Sequence, residues 1–218
     1  MRGLMTGLGT DAEGPCKIPV FLMEVVQNAL AHAWRQLLKE VAEGQFSICG
    51  EEEDTITERL YMILDELSSN HPESIKGLSL FQTPVREGNL RNRTGTRLEC
   101  KPIDSAHPIG SSYCKAGISR FVKEDYAWAV DRALMLGYVR NICDLPNGLA
   151  YVLDGATGQK EYRVKNSVAS LGQTIYGDGV YSSVHYRGSN ASRQTSNLPI
   201  ALHHLWLKTE EPCENTHC

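Results

Sequence analysis

The tripeptide Glu99-Cys100-Lys101 is the part of the sequence whose residue types and spacing most directly suit a chemical reaction. On a β-strand, side chains two positions apart point to the same face, so Glu99 and Lys101 would project together while Cys100 turns into the core. A carboxylate binds a hard divalent cation such as Mg²⁺, which polarises a phosphate and acidifies a bound water. An ammonium group beside it stabilises negative charge that develops in the reaction. The pair therefore predicts metal-dependent hydrolysis of phosphodiester bonds.

Such a metal site needs a second carboxylate, because Mg²⁺ is seldom held by a single protein ligand. Between Glu66 and Glu99 the only acidic residues are Glu73 and Glu87. We expect Glu87 to lie on the partner strand of a hairpin and to face Glu99. Glu53 falls within the apolar stripe of a predicted helix over 51–68 and would approach from a third side. The alternative is that the acids at 51–54 only favour the positive end of the helix dipole.

The elements that would position these residues follow from periodicity and turn signals. Apolar residues at helical spacing predict a first helix over 19–41, with its stripe at Phe21, Val25, Ala29, Ala33, Leu37 and Val41. Residues 78–103 predict a hairpin with its turn at 92–95, and residues 111–135 predict a mostly helical segment. Further strands are expected at 136–142, 150–153, 180–186 and 200–207. This order is typical of a mixed α/β fold, and we expect a single domain over 18–208, between a leader at 1–17 and a tail at 209–218.

Several short motifs resemble the PD-(D/E)XK superfamily of restriction-endonuclease-like nucleases. They are the segment 98–101 with its acid-x-Lys pair, the segment 113–122 with Gly117 and Arg120, and the tripeptide 137–139. The resemblance covers roughly residues 51–140, and weakly 200–207. It implies a mixed sheet flanked by helices and a Mg²⁺- or Mn²⁺-dependent DNA endonuclease. It also points to a bacterial branch of the superfamily that is associated with defence or mobile elements.

The resemblance also implies roles for particular residues. Glu99 and Lys101 match the signature pair and Glu53 matches the helix acid, so these three residues are expected to be catalytic. The expected metal ligands are Glu87, Glu99 and the backbone carbonyl of Cys100. The upstream acid of the superfamily is usually aspartate, whereas no aspartate lies between Asp65 and Glu99. Glu87 is our substitute, and Asn89 is the other residue at a plausible place.

Contacts to nucleic acid are expected from Arg120 on the predicted long helix and from Arg91 and Arg93 in the basic stretch at 86–95. A surface ion pair is an equally good interpretation of Arg120. The formal net charge of −4 gives no global attraction to nucleic acid. It does not exclude an enzyme that has a local basic rim and binds divalent cations.

The cysteines and the apolar segments bear on the compartment. The seven cysteines are odd in number and scattered, and no secretory signal precedes them, so reduced thiols are expected. No apolar run approaches the ~20 residues of a membrane span. We therefore expect a cytoplasmic protein that binds DNA and no membrane, as a possible homodimer or part of a larger defence complex.

Three other interpretations stay open at this point. The chain could be a non-catalytic member of the same fold that binds nucleic acid or a protein. It could be an interaction module that binds zinc through Cys100, His107 and Cys114. Cys114 could also pair with His107 or His185 as a nucleophile and base. The pair His203-His204 on an alternating strand would place one imidazole on each face, which favours structural roles.

Overall fold

A five-stranded mixed sheet organises the chain. The computed structural model describes residues 15–70, 97–125, 127, 130–141, 144–188, 198–210 and 213. The strands are β1 Leu98–Ile103, β2 Arg132–Val139, β3 Val164–Gln173, β4 Gly179–Tyr186 and β5 Pro199–Lys208. Their order in the sheet is β1-β2-β5-β4-β3. Strands β1, β2 and β5 are mutually parallel, and β4 and β3 continue the sheet in antiparallel pairing. A mixed sheet flanked by helices in one α/β domain confirms the fold class predicted from the sequence.

Helices cover both faces of this sheet. The face that carries Cys100 and Tyr138 packs against α1 Val20–Ala42 and α2 Glu53–Asn70, and Trp34 of α1 stacks on Tyr138 with ring centroids 5.6 Å apart. The face that carries Glu99 and Lys101 packs against a π-helix, Ile109–Ile118. The short helix α3 Ser119–Val122 continues from it, and α4 Leu145–Asp154 and α5 Ala156–Glu161 follow β2. Both faces are thus buried at the parallel strands β1, β2 and β5, as parallel pairing usually requires.

The first helix lies where the sequence predicts it, but the first part of the predicted stripe does not face the core, whereas Ala33 and Leu37 of the same stripe are buried. Phe21 is 65% exposed and Val25 is 37% exposed, although both belong to the predicted stripe. The residues buried against the sheet and α2 include Met23, Val26, Leu30, Trp34, Leu37 and Leu38. Both series have helical spacing, so periodicity alone did not decide which one faces the core.

One predicted segment is wrong in type over its second part, and another over its whole length. The expected helix over 111–135 ends at Val122, and its last residues belong to β2. Strand β2 has the burial of an inner parallel strand, with seven of its eight residues buried. Such a strand reads as a continuous apolar run that periodicity cannot distinguish from a helix. The expected strand at 150–153 lies within α4, whose first turn contains a proline.

The sheet also contains a strand that the sequence did not predict. Strand β3 lies in the Gly-, Ser- and Asn-rich stretch and is mostly exposed, so it shows no apolar run. The predicted strands at 180–186 and 200–207 agree with β4 and β5.

The predicted hairpin is only partly covered by the described residues. Strand β1 matches its second strand and bonds in parallel to β2, whereas the first strand and the turn lie outside the described residues. Glu87, Asn89, Arg91 and Arg93 lie outside them as well.

A disulfide bond joins Cys49, in the loop between α1 and α2, to Cys213, beyond the end of β5. Their Cα atoms are 5.4 Å apart, within the range that a disulfide spans. The expectation that all cysteines are reduced is therefore wrong, because it rested on their count and spacing, which cannot show that two distant segments meet. Cys16, Cys100 and Cys114 are free thiols. Among the described residues, no helix is long and apolar enough to cross a membrane.

Candidate active site

Glu53, Glu99 and Lys101 meet at the edge of the sheet formed by β1. Glu99 and Lys101 share one face of β1, as the strand alternation predicts, and Glu53 approaches from the first turn of α2. The ammonium Nζ of Lys101 lies 3.0 and 2.9 Å from the two carboxylate oxygens of Glu53 and 2.9 Å from Oε1 of Glu99. The structure therefore brings together the three residues that the sequence predicts to be catalytic.

Arg120 joins this cluster from α3. Its Nη1 donates to Oε1 of Glu99 at 2.9 Å, and 47% of its side chain is exposed, against 6% for Glu99. Arg120 thus forms an ion pair, as its other interpretation expected, and its partner is one of the acids of the site. Nearly half of the Arg120 side chain faces solvent.

Gly117 allows the π-helix to approach this part of the sheet closely. A Cβ atom at this position would lie 2.6 Å from Cε of Met135 and 3.6 Å from Cγ of Lys101. The π-helix ends one residue later, and α3 with Arg120 follows directly. π-Helical turns are frequent at functional sites, and here the turn carries Arg120 to the acid on β1.

Burial and charge act in opposite directions on the groups of the cluster. Burial lowers the pKa of Lys101, but the charges and hydrogen bonds of Glu99 and Glu53 outweigh it, so this pKa lies above its ordinary value. Burial raises the pKa of Glu53, and the hydrogen bond and charge of Lys101 offset this only in part. The ammonium is thus held charged between two acids, while burial disfavours the ionised form of Glu53.

A cavity of about 360 Å³ opens beside Lys101 and Glu53, and it contains polar groups that the sequence analysis did not assign to the site. Asp104 and Arg140 directly follow the last residues of β1 and β2, which are register partners. The carboxyl ends of neighbouring parallel strands meet at one edge of a sheet, where ligands commonly bind. The meeting of Asp104 and Arg140 could be recognised only from the parallel pairing of β1 with β2, whereas the sequence predicted a hairpin for β1. His107, considered only as a zinc ligand or a base for Cys114, lines the same cavity.

The cysteines of the alternative interpretations lie elsewhere. Cys100 faces α2, where burial raises the pKa of its thiol to about 12 and Tyr138 and Thr57 are its hydrogen-bond partners. Cys114 is fully buried beneath the π-helix, and burial raises the pKa of its thiol to about 12. His107 instead bonds to Asp104. The zinc module and the cysteine nucleophile are therefore not formed.

A second polar network lies on the same face of the sheet, deeper under the π-helix. Nδ1 of His185 lies 2.7 Å from the carbonyl of Tyr162, and Nε2 of His185 lies 2.7 Å from Oγ of Ser183. Ser183 Oγ is 2.8 Å from Nε2 of His204, and Nδ1 of His204 is 3.0 Å from Oη of Tyr113. His203 points to the opposite face, towards Gln27 of α1, so the predicted placement of the paired histidines is confirmed.

Only one assignment of protons satisfies this network, which we call the histidine chain. The carbonyl of Tyr162 can only accept, so Nδ1 of His185 carries hydrogen and its Nε2 accepts from Ser183. Ser183 then accepts from His204, whose Nδ1 accepts from Tyr113. Burial keeps both imidazoles neutral, because it lowers the pKa of His185 to about 4 and that of His204 well below its ordinary value.

The donors of the first cluster suit a hard cation. Glu53 and Glu99 supply carboxylate oxygens, and both contact the same Nζ, so a single positive charge between them is already accommodated. The carbonyl of Cys100, an expected metal ligand, accepts a hydrogen bond from Lys101 at 2.8 Å. Within the described ranges no group of three or more His, Cys, Asp or Glu is arranged around a metal position. The expected third acid, Glu87, is not among those residues.

No family model, no curated protein and no solved structure matches this chain. The resemblance to restriction-endonuclease-like nucleases accordingly rests on the motifs quoted above and stays a prediction.

Proposed function

We propose that the protein is a metal-dependent nuclease that hydrolyses phosphodiester bonds, acting as a DNA endonuclease in bacterial defence against foreign DNA. The observation that carries this proposal is the meeting of Glu53 and Glu99 at the ammonium of Lys101. Two acids and a lysine at the edge of a sheet, beside a cavity, are the groups that metal-assisted phosphodiester hydrolysis needs. The resemblance of the motifs supplies the substrate class and the bacterial setting.

Glu99 and Glu53 would hold the metal, with the Cys100 carbonyl and Glu87 as the further ligands expected from the sequence. Mg²⁺ or Mn²⁺ bound there would supply positive charge that acidifies a water and neutralises charge developing on the phosphate. Oxygen ligands from carboxylates and a carbonyl match the preference of these hard cations.

Lys101 and Arg120 supply the positive charge of the protein itself. Lys101 lines the cavity, and its ammonium would stabilise negative charge that develops on the phosphate. The exposed guanidinium of Arg120 binds a phosphate of the DNA backbone, which arginine contacts in a planar, bidentate manner. Arg91 and Arg93 remain proposed DNA contacts from the segment outside the described residues.

One observation favours a second candidate, a non-catalytic protein of the same fold that binds nucleic acid or another protein. The Lys101 ammonium already neutralises both Glu53 and Glu99, so a metal has to compete with it. If Asn89 rather than Glu87 occupies the upstream position, the site has one acid fewer. The ammonium then stays bound to the acids and the metal does not displace it.

The test is cleavage of plasmid and linear DNA with Mg²⁺ or Mn²⁺, with EDTA as the negative control. Lys101→Ala should lower the cleavage rate by ~10²–10³, the usual effect of losing one preorganised electrostatic donor, while calorimetry still detects metal. Glu99→Gln should weaken both metal binding and cleavage. Lys115→Ala is the matched control, because Lys115 is exposed on the π-helix.

Cleavage that persists unchanged in both Lys101→Ala and Glu99→Gln would contradict the proposed site. Absence of metal binding in the wild-type protein would favour the non-catalytic candidate. Metal binding without cleavage of any DNA would point to an enzyme that requires a homodimer partner or a larger defence complex for activity.

The proposed location is the cytoplasm, where a defence nuclease meets incoming DNA. The bond between Cys49 and Cys213 counts against this location, because the cytosol keeps most protein thiols reduced. Cell fractionation, combined with alkylation of thiols before lysis, tests this part of the proposal. Recovery outside the cytoplasm would contradict it.

A further inference from the structure

His107 stands at the cavity beside Lys101 in a fixed orientation. Asp104 and His107 close a tight turn after β1, in which their backbone groups exchange hydrogen bonds of 3.3 and 3.2 Å. The Asp104 carboxylate oxygen Oδ1 lies 2.8 Å from Nδ1 of the His107 ring and also accepts from the His107 backbone N–H at 2.8 Å. A carboxylate can only accept, so Nδ1 carries hydrogen and Nε2 is left for the cavity.

Asp104 is in turn held by Arg140. Oδ2 of Asp104 accepts from Nε and Nη2 of Arg140 at 2.8 and 2.5 Å. Burial raises the pKa of Asp104, but the hydrogen bonds and charges of His107 and Arg140 outweigh it, so this pKa lies below its ordinary value. The carboxylate therefore stays ionised at neutral pH and places a negative charge against the His107 ring.

Arg140 has no freedom to leave Asp104 for a substrate. Its Nη1 donates to the carbonyls of Ile48 and Glu51 at 3.3 and 2.6 Å, and only 5% of its side chain is exposed. A hydrogen-bonded series thus leads from the core to the cavity, from Arg140 through Asp104 to His107. Of these three residues His107 is the one that reaches solvent, since 41% of its side chain is exposed.

We propose that His107 is the general acid of the reaction, which donates a proton from Nε2 to the leaving oxygen of the phosphodiester. This role rests on the proposed nuclease function. Water attacks phosphorus and loses a proton to solvent, while the bond from phosphorus to the leaving oxygen breaks. The proton of Nε2 passes to that oxygen, which departs as a hydroxyl, and the neutral ring takes up a proton from solvent. Positioned acids of this kind contribute ~10²–10⁴ to a rate.

The positions of the charged groups around the cavity agree with different groups assisting the attack of water and the departure of the leaving oxygen. Lys101 of β1 and Glu53 of α2 line one part of the cavity, and His107 lines it from the turn that follows β1. Glu51, Glu52, Asp104 and Arg140 are the other charged groups that line the cavity. Attack and departure occur on opposite sides of a phosphorus atom, so two separate polar groups on one cavity suit the two events.

The experiment compares two DNA duplexes that differ in the leaving atom. In one, sulfur replaces the bridging leaving oxygen at a linkage that the wild-type protein cleaves, because a thiolate departs without needing a proton. His107→Gln should lower the cleavage rate of the oxygen duplex by ~10²–10³, and that of the sulfur duplex less than tenfold. His32→Gln, which changes a histidine of α1, is the matched control and should leave both rates unchanged. Thermal melting of both variants verifies that they fold.

A second measurement does not depend on turnover. In the metal-free protein, nitrogen NMR of the imidazoles should find hydrogen on Nδ1 of His107 across neutral pH, and Asp104→Asn should weaken that preference. Deprotonated Nδ1 in the wild-type protein would overturn the assignment.

The outcomes separate this proposal from the nuclease proposal. If the wild-type protein cleaves DNA and His107→Gln is equally active, the general acid is another group and only the present proposal fails. Equal losses on the oxygen and sulfur duplexes would also overturn it, because they indicate a structural role. Wild-type protein that neither binds metal nor cleaves any nucleic acid would overturn both proposals.

Discussion

The cluster at Lys101 and the histidine chain lie on the same face of the sheet, yet they satisfy buried polar groups in different ways. The histidine chain is neutral, wholly enclosed, and ends on a backbone carbonyl. The cluster is ionised, shares one ammonium between two acids, and borders a cavity. Met135 of β2 lies between the two, opposite Glu99 on one side and His204 on the other.

The difference indicates what each network contributes. A closed chain with one proton arrangement stabilises a unique core, because every donor and acceptor is used once. Buried ion pairs often add little stability, since desolvation cancels most of the Coulomb attraction. The cluster is therefore a poor means of holding the fold together, and its position at a cavity fits a role in chemistry.

The largest expected effect is a loss of stability in mild acid, caused by the buried histidines. His185 and His203 have pKa values lowered to about 4, and that of His204 lies well below its ordinary value, in each case mainly because of burial. In the unfolded chain these rings take up protons below about pH 6.5, whereas the folded protein keeps them neutral. The free energy of unfolding should therefore fall as pH drops from about 6.5 towards 4, by roughly 5 kcal/mol between pH 7 and pH 5.

Urea denaturation at a series of pH values measures this slope. Glu53 has a raised pKa, so its ionisation acts in the opposite direction above about pH 4.5 and reduces the slope slightly. Asp104, whose pKa is lowered, adds a loss of stability only below about pH 4. Equal stability at pH 7 and pH 5 would show that the histidine chain does not exclude protons.

The second largest effect on stability is expected from a substitution in the middle of the histidine chain. His204→Leu keeps the volume but leaves Ser183 and Tyr113 without partners in a site that is fully buried. Each abandoned polar group costs about 1–3 kcal/mol, so we expect a loss of roughly 3 kcal/mol at pH 7.5. The free energy of unfolding should also depend less steeply on pH, because one of the buried neutral imidazoles has been removed.

His203→Leu is the matched comparison for this change. The hydrogen bond between its ring and Gln27 is long, at 3.5 Å, so we expect a smaller loss than at His204. Chemical denaturation of the two variants side by side gives the difference. A larger loss for His203→Leu would contradict the proton assignment of the chain.

The smallest effect on stability is expected in the ionised cluster. Glu53→Gln removes a charge whose ionised form is disfavoured by burial, as the raised pKa of Glu53 indicates. The free energy of unfolding should stay the same or rise, within about 1 kcal/mol, while metal binding and cleavage weaken. Glu58→Gln, on an exposed position of the same helix, should change none of these properties. A Glu53→Gln variant that loses as much stability as His204→Leu would remove the contrast between the two networks.

The parts of the site that were predictable are those that follow from spacing within one element. Residues 99 and 101 share a face because side chains on any strand alternate, and Glu53 points inward because of its place on the helical stripe. Both arguments hold regardless of how the elements are arranged in space. The acid-x-Lys cluster was therefore found without knowledge of the sheet.

The parts of the site and of the fold that were not predicted depend on which segments are neighbours in space. Asp104 and Arg140 are 36 residues apart, and they meet only because β1 and β2 run in parallel with Ile103 opposite Val139. The pairing of Cys49 with Cys213 likewise depends on where the end of the chain folds back. Strand β2 was partly misassigned for a related reason, since burial on both faces removes the alternation that identifies a strand.

The disulfide has a topological consequence for the whole molecule. Cys49 and Cys213 are 164 residues apart, and all five strands lie between them, so most of the chain forms one covalent ring. A protease that cuts the backbone once inside this ring opens it but releases nothing. Under non-reducing denaturing conditions the cut protein should keep the mass of the intact chain plus one water, and only a reductant should separate the two pieces.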